Sequence, residues 1–267
     1  MPPSGIAGKE YRKEDDVMNM KKDKLDIEIF ETRCQMGCKA AADIVKAMEE
    51  ALEQKDEINV IFAAAPSQND VLKALTESSV QWNRVNAFHM DEYIGLDPSA
   101  PQSFGNFLTE HIFGKVPFKS VNLIRCGAED PEAECARYAR LLEQHPADLI
   151  VMGIGENGHI AFNDPWIADF NDKKAAKTVP LDEVCRQQQV NDGCFASLEL
   201  VPKQAITLTC PVFIHAPKLF CIVPGKTKAE AVRKTVYGPI HEDCPATILR
   251  NHPSAKLYLD RESGALL

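Results

Sequence analysis

Gly153-Ile154-Gly155-Glu156-Asn157-Gly158-His159-Ile160-Ala161-Phe162-Asn163-Asp164-Pro165 follows directly on the apolar run of residues 148–152. A second segment, Phe88-His89-Met90-Asp91-Glu92-Tyr93-Ile94-Gly95, closes the apolar run that begins at Val85. Each run is short and β-prone, and each ends in a turn that carries ionisable groups. In an open α/β sheet, ligands bind outside the carboxyl ends of the strands, where such turns lie. Together the two turns offer carboxylates, an imidazole and a carboxamide to one crevice. Such a set can move protons on a small molecule.

Outward from these turns, the pattern predicts strands over residues 25–30, 59–64, 85–90, 121–123, 148–152, 205–209, 219–223 and 256–259. Helical spacing predicts helices over 32–55, 71–79, 103–113, 131–144 and 228–237. This alternation reads as α/β, an open, mainly parallel, Rossmann-like sheet with helices on both faces. Residues 1–24 are polar and read as a frayed or surface-hugging extension; residues 25–267 read as a single α/β domain. Residues 166–195, with Lys173-Lys174 and Gln187-Gln188-Gln189, read as polar and irregular, long enough to form a mobile lid.

Composition narrows the function classes. At 45% hydrophobic and 26% charged, the chain has the make-up of a soluble globular protein. A formal net charge of −9 argues against general nucleic-acid binding, which needs a basic footprint. A few local cations can still hold one phosphate. The 9 cysteines are odd in number and include no Cys-x-x-Cys pair, so neither a disulfide scaffold nor a zinc ribbon is expected. Cys34 and Cys38 stand at helical i,i+4 spacing, without a second pair to complete a metal site. There is no apolar signal core and no apolar run of membrane-spanning length, so the chain reads as cytoplasmic.

Gly153-x-Gly155-x-x-Gly158 matches the dinucleotide fingerprint in letters only. That fingerprint needs a helix to open at once toward a pyrophosphate, and Pro165 interrupts within seven residues of Gly158. A nicotinamide or flavin site is therefore not expected; the glycines permit a tight turn and close ligand approach. His159 has Asn157 two residues before it and Asp164 five after it. An acceptor on one ring nitrogen fixes the tautomer and leaves the other nitrogen for proton transfer. Asp91 taken alone reads as a helix cap or a surface acid; its case as a base rests on convergence with the His159 turn, and spacing alone does not decide between it and Glu92. Ser67, in Ala65-Pro66-Ser67, and Lys228, in Pro224-Gly225-Lys226-Thr227-Lys228, each occupy a strand-to-helix turn. Arg186 lies in the polar segment. Singly these three read as solvated groups; facing one anion together, they would let an acidic protein hold a phosphate.

The Met90-Asp91-Glu92-Tyr93 and Gly-x-Gly-x-x-Gly-His-x-x-Phe-Asn-acid-Pro segments resemble the glucosamine-6-phosphate deaminase/isomerase family, which shares its fold with 6-phosphogluconolactonases. The resemblance spans roughly residues 25–262. It implies that Asp91 carries a proton between C2 and C1 of the open-chain amino sugar. His159 would assist ring opening, oriented by Asn157 and Asp164, and Ser67, Arg186 and Lys228 would hold the 6-phosphate. The products would be fructose 6-phosphate and ammonia. No metal and no organic cofactor is implied, because the substrate's own carbonyl is the electron sink. The partner is a small sugar phosphate, and a homo-oligomer is compatible with the reading.

Three departures from the family stand out. Asp164 replaces the usual glutamate, an arm one methylene shorter that would misplace its contact with His159 by about 1 Å. Asn157 stands where some members have aspartate. Ala65-Pro66-Ser67 replaces a Gly-Gly-Thr or Gly-Gly-Ser turn, and Pro66 donates no N–H. Ala175-Ala176-Lys177-Thr178 also lacks the arginine that regulated members use for their effector, and the chain stops at Leu267 without their longer extension. Two rivals follow: a lactone-phosphate hydrolase on the same fold, which needs no carbon base at Asp91, and a non-catalytic sugar-phosphate sensor.

Overall fold

The computed structural model describes residues 17–191 and 193–267. The chain opens with the antiparallel pair β1 (Met18–Lys22) and β2 (Leu25–Phe30). Helix α1 (Arg33–Gln54) starts at a reciprocal cap. The Thr32 hydroxyl accepts from the Gln35 N–H at 3.2 Å, and the Gln35 side chain accepts from the Thr32 N–H at 3.1 Å. Then come β3 (Ile58–Phe62), α2 (Asn69–Thr76), β4 (Val85–His89) and β5 (Asp91–Tyr93). Helix α3 (Phe104–Leu108) runs into a π-helical turn, Thr109–Phe113, and leads to β6 (Ser120–Asn122). Helix α4 (Pro131–Gln144) combines an Asp130 cap with proline in its first turn, where a missing N–H costs nothing. After β7 (Leu149–Met152) follow β8 (Ala176–Pro180), α5 (Glu183–Asn191), β9 (Gln204–Leu208), α6 (Cys210–His215), β10 (Lys218–Val223), α7 (Ala229–Tyr237) and β11 (Ala255–Asp260).

Eight strands form one sheet in the order β1-β2-β11-β10-β7-β3-β4-β6, parallel throughout except for β1. The expected mainly parallel sheet is thus present. Side chains alternate along each strand, so its residues divide between two cores. Val60, Phe62, Leu149, Val151, Phe220 and Ile222 pack with Met36, Ile44 and Met48 of α1 and with Val71 and Leu75 of α2. Ile61, Ile150, Met152, Cys221 and Val223 pack with Tyr138 of α4 and with Val232 and Val236 of α7. Each fully buried aliphatic side chain contributes about 1.5–3 kcal/mol, so both faces hold the sheet.

Between β3 and β7 the chain reverses its direction of travel across the sheet. The connection after β3 leads outward to β4, and the one after β7 leads the other way to β10. This is the topological switch point at which open α/β sheets bind ligands.

The structure corrects three expectations. Within the expected extension of residues 1–24, Met18–Lys22 is an edge strand whose register is fixed on β2; residues 1–16 lie outside the described residues. The segment 166–195 is not irregular, since it contains β8 and α5. A second, antiparallel sheet, β5-β9-β8, also stands apart from the first. Asp91 therefore does not end β4; it begins β5.

Candidate active site

A cleft of about 250 Å³ opens at the carboxyl ends of β3, β7 and β10. Ser67, Asp91, His159 and Lys228 all line it. Four residues spread over more than 160 positions are brought together because their turns follow neighbouring strands.

Asp91 is placed by the second sheet. It pairs in register with Thr207 of β9. The Thr207 hydroxyl accepts from the Phe162 N–H at 3.1 Å, and the Asn163 amide donates to the Leu208 carbonyl at 2.8 Å. Strand β9 thereby fastens the Asp91 strand and the His159 turn to one another. Asn163 also donates to the Ile160 carbonyl at 2.9 Å. This turn holds Ala161 at a φ of 49°, a conformation that costs a non-glycine residue about 1–2 kcal/mol. Neither Thr207 nor Asn163 was singled out as a positioning residue by sequence, because their bonds run between segments far apart in the chain.

The two adjacent carboxylates have different surroundings. Glu92 is buried, and its oxygens accept from the backbone N–H groups of Tyr93 at 2.9 Å, Phe104 at 3.0 Å and Gly105 at 2.8 Å. It caps the start of α3. Burial pushes its carboxyl up to about 7 against those three donors. Asp91 faces the cleft. Burial, reinforced by the neighbouring Glu92 carboxylate, holds its carboxyl well above the usual carboxylate range. Of the pair, Asp91 is the group a ligand can reach. Glu92→Ala would strand three buried N–H groups, each costing about 1–3 kcal/mol. The variant should melt about 5–10 °C below the wild type in a calorimetric scan; an unchanged midpoint would show that the cap is dispensable.

His159 forms part of the cleft wall, with Asn157 and Asp164 bonded to it. Its Nδ1 lies 2.8 Å from the Asn157 Oδ1 and 3.2 Å from the Asp164 Oδ1. The Asn157 amide nitrogen donates to the Asp164 Oδ1 at 2.8 Å. With its NH₂ so engaged, Asn157 presents its carbonyl oxygen to the ring. Nδ1 must then carry the proton, and Nε2 of the neutral ring is left as the acceptor. Burial pushes the Asp164 carboxyl up, but the hydrogen bond from His159, the charge that ring carries when protonated, and the Asn157 amide outweigh it and hold the group below the usual range. The shorter arm of Asp164 does not cost the expected contact: its Oδ1 still stands within reach of the ring, and Asn157 bonds to both groups.

Gly155 makes room for the ring. A Cβ there would fall 2.1 Å from Cε1, 2.2 Å from Nε2 and 2.4 Å from Nδ1 of His159. Gly158, at a φ of 90°, supplies the left-handed turn that the motif needs. His159, Asp164 and Cys185 place a nitrogen, an oxygen and a sulfur within 4.8 Å of one another, a donor set that suits a soft divalent ion. The ring and carboxylate are already joined through Asn157, so hydrogen bonding accounts for their arrangement without one.

The anion end of the cleft lies where β3 and β10 give way to helices. Ser67 sits in the 3₁₀ turn Pro66–Gln68, which leads into α2. Its hydroxyl oxygen accepts from the Gln68 amide at 3.1 Å, which leaves its O–H to donate. Lys228 sits in the corresponding turn, Lys226–Lys228, before α7. That loop is held by Asp260, whose carboxylate accepts from the Gly225 N–H at 2.9 and 3.1 Å. Two helix amino termini thus converge on the cleft.

Arg186 is not brought there. It is buried on α5, and its guanidinium donates to the carbonyls of Leu198 at 2.5 Å and Val201 at 3.0 and 3.2 Å. The expected trio is therefore a pair, because a loop that needed a donor for its own carbonyls took the arginine. Gln188 and Gln189 of the same helix do line the cleft, as does Arg33 at the start of α1. The sequence reading missed Arg33, which carries no local motif.

A family model described as glucosamine-6-phosphate isomerases/6-phosphogluconolactonase matches residues 31–258. The glucosamine-6-phosphate deaminase of Listeria monocytogenes serotype 4a (strain HCC23) is 37% identical over 212 residues, covering 79% of this chain and 88% of the relative. That of Streptococcus pneumoniae (strain 70585) is 37% identical over 206 residues, covering 77% and 86%. Among solved structures, a monomeric glucosamine-6-phosphate deaminase superposes with a TM-score of 0.82 at 28% identity, covering 93% of this chain and all (100%) of that one. The 6-phosphogluconolactonase from Thermotoga maritima superposes at 0.72 with 21% identity, covering 89% and 100%, a likeness of fold. Among the described residues no helix is long and apolar enough to cross a membrane.

Proposed function

The chain belongs to the glucosamine-6-phosphate isomerase/6-phosphogluconolactonase family, and we propose that it deaminates and isomerises glucosamine 6-phosphate to fructose 6-phosphate and ammonia. One observation carries this reading: a buried carboxylate, Asp91, lines the same cleft as the His159 imidazole and two helix amino termini suited to a phosphate. A lactone hydrolase needs a histidine to activate water, but has no use for a buried carboxylate aimed at a carbon acid.

In this reading the phosphate lies against Ser67 and Lys228, and the sugar extends from there toward Asp91 and His159. His159 Nε2 takes the anomeric hydroxyl proton and returns it to the ring oxygen as the C1–O5 bond breaks. Asp91, ionised, removes the C2 proton while the substrate ammonium gives a proton to O1, which forms the enolamine. The Asp91 carboxyl, in exchange with solvent, then protonates C1, and C2 becomes the protonated imine. Water adds to that imine, the C2–N bond breaks, and ammonia leaves. Burial raises Asp91 toward the basicity a carbon base requires, and the ammonium-bearing substrate favours its ionised form. Nine cysteines with no disulfide among the described residues suit a reducing cytoplasm, which is the compartment we assign.

The test is ammonia release from glucosamine 6-phosphate in deuterated water by the purified protein. Release accompanied by deuterium incorporation at the former aldehyde carbon, dependent on His159, is the expected result. Hydrolysis of 6-phosphogluconolactone without ammonia release would move the chain to the lactonase branch. Binding of the sugar phosphate with no turnover at any pH would make it a sensor.

A further inference from the structure

We infer that Arg33 supplies a guanidinium to the 6-phosphate subsite and takes the part that Arg186 was expected to play; the inference rests on the sugar-phosphate reading above. The turn at residues 65–67 is short of a donor, since Pro66 has no N–H. Arg33 lies beside that gap. Its side chain is 44% exposed, lines the cleft, and donates from a terminal nitrogen to the Pro66 carbonyl at 2.5 Å. Its Nε donates to Asp70, in the first turn of α2. A guanidinium has five N–H donors in a planar fork. Among the described residues two are engaged, and the other three belong to a group already anchored against the cleft wall. Arg186 is not part of the cleft wall, and its Nε and Nη2 donate to Leu198 and Val201.

What brings Arg33 to this place is a close helix crossing. A Cβ on Gly37 would lie 2.6 Å from the Asp70 Cβ and 3.2 Å from its backbone carbon. Glycine one turn along α1 therefore lets that helix come down on the start of α2, and the Arg33 side chain then reaches over the phosphate turn. With Lys228 it makes two cations for a dianion, which explains how a turn without a full set of backbone donors can still hold one.

The experiment compares inorganic phosphate binding by calorimetry, and steady-state kinetics with glucosamine 6-phosphate, for full-length wild type, Arg33→Gln, Asp70→Asn and Arg186→Gln. Arg33→Gln should weaken phosphate binding and raise KM by at least tenfold, with kcat within about threefold. Asp70→Asn breaks the same ion pair but keeps the guanidinium, so it should bind phosphate at least as well as the wild type. Loss of binding in Asp70→Asn equal to that in Arg33→Gln would mean that Arg33 only braces the two helices, and would overturn the inference. So would wild-type binding by Arg33→Gln, or a larger loss in Arg186→Gln. Arg33-dependent phosphate binding in a chain that releases no ammonia would sustain this inference and defeat the deaminase reading.

Discussion

Asp91→Asn should lower kcat by about 10³–10⁴-fold, leave KM within about threefold, and raise the melting temperature at neutral pH. The loss follows from the role proposed for the carboxylate at the reacting carbon; the amide is isosteric but cannot accept the C2 proton. The gain follows from linkage. In the folded chain burial keeps the Asp91 carboxyl protonated where an unfolded aspartate, with a pKa of about 3.9, has ionised. The folded state then binds more protons than the unfolded one, so stability falls as pH rises above about 4 toward the raised value. Each unit of difference is about 1.4 kcal/mol. An asparagine carries no such cost. The two proteins should therefore melt together near pH 4 and diverge as pH rises, with the variant the more stable. Glu92, pushed up to about 7, adds a slope of the same sign and is common to both. For catalysis the sign is opposite: the base must be ionised, so kcat/KM should rise with pH along a limb that lies above the ordinary carboxylate range. Wild-type turnover by the variant would remove Asp91 from the mechanism. A melting difference independent of pH would contradict its raised carboxyl.

Gly155→Ala should lower kcat/KM by about 10²–10³-fold and leave phosphate binding intact. Gly155, unlike Gly158, does not lie at a positive φ, so alanine meets no left-handed penalty there. The obstacle is the imidazole, three of whose atoms would lie within 2.4 Å of the new Cβ. The ring must move by an ångström or more, and that breaks its contacts with Asn157 and Asp164. Misplacement on that scale costs about 10²-fold in rate. The measurement is kcat/KM beside His159→Ala, with inorganic phosphate binding as the control. Comparable losses in the two variants would show that ring position, and not merely ring presence, is what the motif secures. Near-wild-type activity would mean that His159 works from another orientation.

Much of this arrangement was legible in the sequence because it is local. The strand-to-helix turns at Ser67 and Lys228, and the glycine turn before His159, are written in consecutive residues. The departures were legible too, but their outcome was not. The shorter Asp164 is joined to the ring by Asn157, a bond that depends on how the loop closes. The second sheet was hidden because β5 is only three residues long and β8 lies in a polar stretch, where alternation is weak. Arg186 and Arg33 show the harder limit. A side chain's position in the sequence sets which helix it belongs to, whereas its partners are decided by packing. Arg186 met two unsatisfied carbonyls, and Arg33 was carried to the cleft by a glycine four residues away.

The pairing of β2 with β11 sets an order of events for a chain made from its amino end. Strand β2 is complete by Phe30, yet its parallel partner is Ala255–Asp260, more than 220 residues later. Until those last residues emerge, the β1–β2 hairpin has no place in the sheet and its inner edge stays open. The Lys228 turn is likewise among the late arrivals. The sheet cannot close until Asp260 has been made, so folding is dominated by distant contacts and is correspondingly slow. The exposed edge of β2 during that interval is a natural surface for chaperones, and in their absence for aggregation.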